Sequence, residues 1–110
     1  MIGGDKFKRL SVPSMTFTEL CEKYQLQHIN LLQVDTEGYD SKIIRSIDFT
    51  KVKIDMIIYE NWDFPIHRFT RYGEGMYDMG VAGMKKLKIF LEKLGYKVER
   101  LDKGNFIAKI

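Results

Sequence analysis

An apolar run that ends in a cluster of acids constrains this chain more than any other feature. Leu31-Leu32-Gln33-Val34 is interrupted only by Gln33, and Asp35, Glu37 and Asp40 follow at once, with Gly38 among them. A run of this kind reads as a buried strand whose chain emerges at the edge of a sheet. In open α/β sheets the carboxyl ends of the strands are where ligands bind. Carboxylates on alternate residues, beside a glycine that permits a sharp turn into a helix, suit cations, hydroxyls or amines. Asp35 and Glu37 are therefore the expected chemical centre.

The flanking pattern supports this reading. Thr16-Phe17-Thr18-Glu19 is a capping box, with Met15 and Leu20 at the staple positions, and it predicts a helix ending near Gln25. Phe17, Leu20, Cys21 and Tyr24 follow helical spacing and predict one buried face. A strand is expected over Ile29–Val34, then a short helix from Tyr39 or Asp40 marked by Ile43, Ile44 and Ile47. A second strand, Ile54–Glu60, again ends in an acid, followed by Asn61. Two apolar strands joined through a helix make a parallel βαβ unit, which sets Glu60 and Asn61 close to Asp35.

Residues 61–80 form a long stretch rich in aromatics and glycine, read either as a loop packed over the core or as a lid on the site. Val81, Met84, Leu87, Phe90, Leu91 and Leu94 then trace an amphipathic helix with a lysine-rich outer side, and Gly95 is placed to cap its end. Tyr96–Leu101 and Asn105–Ile110 flank Asp102-Lys103-Gly104 and predict an antiparallel hairpin.

Composition sets the outer limits. At 110 residues the chain is expected to form one domain, residues 1–110. Its formal charge of +3 reads as spread along the chain rather than gathered in a tail, so no nucleic-acid partner is expected. No apolar run approaches the ~20 residues that cross a bilayer, and Met1–Ser11 lacks the apolar centre of a signal peptide. No membrane partner is expected. One cysteine, Cys21, forms no intramolecular disulfide, which fits a reducing, cytoplasmic location. Neither histidine has a second His or Cys at ligand spacing, which argues against structural zinc.

The order of elements resembles the second half of an FkbM-type S-adenosylmethionine-dependent methyltransferase. The family pattern is similar to T-L-(D/E), then I-D-L-L-K-I-D-V-E-G-(A/Y)-E, then a strand ending in Glu. The corresponding residues here are Thr16 to Leu20, Ile29 to Asp40 and Ile57-Ile58-Tyr59-Glu60, with the terminal hairpin, so the resemblance runs from about Ser14 to Ile110. Gln33 stands where the family often has Lys. The resemblance implies an α/β fold: a partial Rossmann-like methyltransferase sheet, parallel strands plus a C-terminal antiparallel hairpin, with helices on both faces. It also implies that the glycine-rich cofactor turn and the strands around it are not in this chain. The chain then reads as the C-terminal half of a methyltransferase-like fold lacking the cofactor-binding N-terminal half, inactive without it.

On this resemblance Asp35 and Glu37 are catalytic, orienting or deprotonating the hydroxyl of a small-molecule or glycan acceptor, with S-adenosylmethionine as the implied cofactor. Asp35, Glu60 and Asn61 also resemble the oxygen-rich metal set of catechol-type O-methyltransferases, suited to Mg²⁺ or Ca²⁺. Two further readings stand beside it. One is a non-catalytic interaction module, a methyltransferase remnant. The other is a Toprim-like phosphoryl-transfer domain, which Glu37-Gly38-Tyr39-Asp40 after a strand resembles and which would use paired carboxylates with Mg²⁺. In the resembled sheet the strands run three, two, one, four, five, seven, six. Strand four, Ile29–Val34, then lacks a neighbour, and a homodimer through that edge is expected.

Overall fold

The computed structural model of the chain describes residues 14–36, 39–62 and 80–110. The expected capping box opens α1 (Phe17–Lys23): Thr16 Oγ1 accepts the Glu19 N–H at 3.1 Å and Glu19 Oε1 accepts the Thr16 N–H at 2.8 Å. Tyr24 closes the helix, and Gln25 turns the chain in the left-handed region at φ 56°. At seven residues the helix has less than two full turns to rest on its neighbours. Contact is accordingly narrow. Cys21 is buried and Phe17 packs on the core, whereas Leu20 and Tyr24, expected on the same face, are 36% and 62% exposed.

From α1 the chain enters β1 (His28–Val34), turns through the acidic segment into α2 (Asp40–Arg45), and returns along β2 (Lys53–Glu60). β1 and β2 are parallel, with His28 opposite Lys53 and Val34 opposite Tyr59, as the two apolar runs require. α3 (Gly80–Lys93) follows, ended by Gly95 at φ 102°, where the Gly95 and Tyr96 N–H groups donate to Glu92 and Leu91 carbonyls. The hairpin β3 (Lys97–Asp102) and β4 (Asn105–Lys109) is tied at its turn by Asp102, whose Oδ1 accepts from the Gly104 N–H and the Asn105 amide. β4 slots antiparallel between β2 and β3, giving the order β1-β2-β4-β3.

A single core holds Cys21 of α1, Ile44 of α2 and Met84, Leu87 and Leu91 of α3 against Val34, Ile57, Tyr59 and Ala108 of the sheet. The three described helices therefore share one face of the sheet, where helices on both faces were expected. Leu31, Met56, Ile58 and Ile107 stand outside that core.

Burial in the two parallel strands does not alternate strictly. Ile54, Ile57 and Tyr59 are the buried residues of β2, and Ile29, Leu32 and Val34 of β1 lie in or against the same core. Leu31 is 47% exposed on a strand that pairs on one side only among the described residues.

Candidate functional site

Parallel pairing carries the ends of β1 and β2 to the same edge of the sheet, so Asp35 and Glu60 arrive side by side, as the sequence predicts. The Asp35 side chain disfavours the ionised form of Glu60 beside it. Burial, the hydrogen bond to Asp35 and the charges of Asp35 and Asp40 push the Glu60 carboxyl up to about 7, against a weaker opposing hydrogen bond from the Trp62 side chain. One Glu60 oxygen, Oε1, is shut off from solvent and takes no hydrogen bond of ordinary length. Glu60 therefore holds or releases a proton near neutrality, the condition a general acid–base group needs.

A third acid fixes this arrangement. Asp40, 1% exposed in the first turn of α2, reaches back across the acidic turn: Oδ1 accepts the Thr36 N–H at 2.9 Å and the Thr36 hydroxyl at 2.5 Å. Its Oδ2 accepts the Glu60 backbone N–H at 3.0 Å. One side chain thus ties the exit of β1, the start of α2 and the end of β2. Sequence reasoning placed Asp40 merely at the helix start. The available signal was an acid in a helical first turn five residues after a strand-end acid, which can satisfy donors on both strands.

Glu37, expected to act with Asp35, lies outside the described residues, as does Gly38. Asn61 is held by its own backbone, whose N–H donates to the Gly104 carbonyl in the hairpin turn at 2.8 Å. Of the proposed lid, residues 63–79 lie outside the described residues. Its two ends are stitched together by the Gly80 N–H donating to the Trp62 carbonyl at 2.7 Å. The expected metal set gains no support: Asp40 is spent on three donors, and no group of three His, Cys, Asp or Glu among the described residues is arranged to hold an ion.

The opposite, amino edge of the parallel strands is chemically quieter. A cavity of about 580 Å³ lies there, lined by Thr18, Cys21, Gln25, Gln27 and Val52 among others. Its acid, Glu22, is paired with Lys51 at 3.0 Å, and burial holds the Cys21 thiol above its ordinary value, so the cavity offers neither a poised base nor a nucleophile. The acid pair at the carboxyl ends is the candidate site.

The family model of the methyltransferase FkbM domain matches residues 2–98. The chain belongs to the FkbM methyltransferase family. No curated protein and no solved structure matches it. The FkbM match takes in every residue of the acidic turn and the acid pair, while β4, which completes the sheet beside β2, lies beyond it.

The family implies S-adenosylmethionine, whose sulfonium supplies an electrophilic methyl group. Among the described residues no glycine-rich turn follows a strand. The turn after β1 presents Asp35, Thr36 and Asp40, and the end of β2 presents Glu60. These carboxyl groups provide no backbone cradle for methionine and ribose, so the described residues by themselves do not fit the cofactor.

Proposed function

We propose that this chain supplies the acceptor side of an FkbM-type O-methyltransferase, and that Asp35 and Glu60 receive the proton of the acceptor hydroxyl. The observation that carries this reading is the carboxyl pair at the two parallel strand ends, with Glu60 pushed up to about 7. Methylation of a hydroxyl requires that the O–H bond give up its proton as the new C–O bond forms. Glu60 Oε1, buried and without an ordinary hydrogen bond, is the oxygen that takes this proton. Asp35 is the more exposed member and orients the hydroxyl from the solvent side. Asp40 serves as the strut that keeps the pair in place.

The acceptor is a hydroxyl-bearing small molecule or glycan, and the chemistry runs through proton transfer rather than a Mg²⁺ or Ca²⁺ ion. The cofactor is gripped by a complementary methyltransferase module that adds its sheet to the open edge of β1. The exposed Leu31 and the unpaired side of that strand support this division.

Reconstitution tests the reading. The chain is incubated with methyl-labelled S-adenosylmethionine and a panel of sugars and hydroxylated small molecules, alone and mixed with the cofactor-binding half of an FkbM methyltransferase. Label is expected in an acceptor only in the mixture, and Glu60→Gln is expected to abolish it. Transfer by the chain alone would overturn the division of labour, and undiminished transfer by Glu60→Gln would overturn the role of the acid pair.

A further inference from the structure

The charge of this chain is not where a count along the sequence places it. Of its 18 basic and 15 acidic residues, α3 alone holds four lysines and one glutamate, so the 14 basic and 14 acidic residues elsewhere cancel. The whole net charge of +3 therefore equals the charge of α3. Lys85, Lys86, Lys88 and Lys93 are all exposed. Meanwhile Met84, Leu87 and Leu91 bury the opposite side of the helix in the core. α2, packed beside α3, adds exposed Lys42 and keeps its acid, Asp40, buried.

The basic side is not purely polar. Ile89 is 44% exposed, with Lys85 and Lys86 one turn before it and Lys93 one turn after. Val81, 66% exposed, and the exposed Ala82 continue the same side toward the amino end of the helix. Apolar side chains therefore sit between the lysines on the outward arc.

We propose that this side of α3 lies on an anionic phospholipid surface. The lysines neutralise headgroup charge while their aliphatic stems and Ile89 enter the boundary with the acyl region, the disposition of an amphipathic helix lying in the plane of a membrane. Charge complementarity calls for an anionic partner. The apolar residues among the lysines select a lipid surface over a nucleic acid, whose phosphates offer charge without an apolar phase. No helix among the described residues is long and apolar enough to cross a membrane, and a peripheral contact of this kind needs none.

Co-sedimentation of the whole chain with vesicles tests the inference. Vesicles of phosphatidylcholine alone are compared with vesicles containing phosphatidylglycerol, at low and at physiological salt, with short RNA and DNA duplexes as a separate arm. Binding is expected to the phosphatidylglycerol vesicles only and to weaken with salt, because exposed charges are screened within about 10 Å at 0.1 M. Each single change Lys85→Ala, Lys86→Ala or Lys93→Ala is expected to reduce partitioning about fivefold. Ile89→Ser is expected to reduce it about tenfold. Because these side chains are exposed, far-UV circular dichroism should be unchanged in every variant. No binding to anionic vesicles at low salt, undiminished binding by Ile89→Ser, or binding to nucleic acid without binding to vesicles would each overturn the proposal.

Discussion

The Asp40 carboxyl on α2 accepts the backbone N–H of Glu60 at the end of β2, at 3.0 Å. Through this bond the residue that carries the raised carboxyl is fixed by an acid twenty positions earlier, which also grips Thr36 at the end of β1. Replacing Asp40 by Asn puts an amide donor against at least one of these donors in a site that is 1% exposed. Loss of a buried acceptor of this kind costs about 1–3 kcal/mol. Urea unfolding of Asp40→Asn is expected to show that loss as a lower midpoint with an unchanged slope.

The Glu60 carboxyl binds its proton more tightly folded than unfolded, since it rises from 4.5 to about 7. Its contribution to stability is fully present below pH ~4.5 and is lost as pH rises toward 7. Glu60→Gln removes that dependence. Melting temperatures measured from pH 4.5 to 8 should fall less steeply for Glu60→Gln than for the wild type, with the variant gaining on it at the alkaline end.

Much of this architecture is legible in the sequence because local signals agree with the tertiary ones. Thr16 and Glu19 make both bonds of the capping box, Gly95 takes the left-handed position after α3, and the acids after two apolar runs meet because parallel pairing leaves them no other place. What the sequence hides is the phase within a run that is apolar throughout. Leu31 and Leu32 are identical in type, yet Leu32 packs on the core and Leu31 faces out, because successive residues of a strand point to opposite faces and nothing in the pair says which is which. Leu20 and Tyr24 sit at helical spacing with Phe17, but α1 is too short and too near the sheet edge to bury them. Asp40 is hidden for another reason. Its role depends on a backbone N–H that only the fold brings to it.

The open edge of β1 predicts association. Leu31 carries no charge to blunt strand addition, and β1 is bonded to a neighbour on one side only among the described residues. With no complementary module on that edge, light scattering on the chain alone at micromolar concentration is expected to give a homodimer. Leu31→Lys is expected to give a monomer with unchanged circular dichroism, whereas Leu32→Lys, which strikes the core, should unfold the protein. A wild-type monomer across that range would contradict the pairing.

Cofactor affinity separates the two sides of the proposed enzyme. Calorimetric titration of the chain alone with S-adenosylmethionine is expected to give no saturable heat, since the described strand ends present carboxyl groups where a glycine-rich cradle is needed. Saturable binding at micromolar concentration would show that this chain holds the donor itself.

At the end of β2, Glu60 keeps its proton up to near-neutral pH because burial and the neighbouring Asp35 disfavour its ionised form. Carbon-13 NMR of the side-chain carboxyls, with Glu60→Gln to assign the resonance, measures this directly. Glu60 is expected to titrate near 7 in the wild type and lower in Asp35→Asn, where the neighbouring carboxyl is gone but burial remains. A Glu60 carboxyl that titrates in the ordinary range near 4.5, unmoved by Asp35→Asn, would contradict the account.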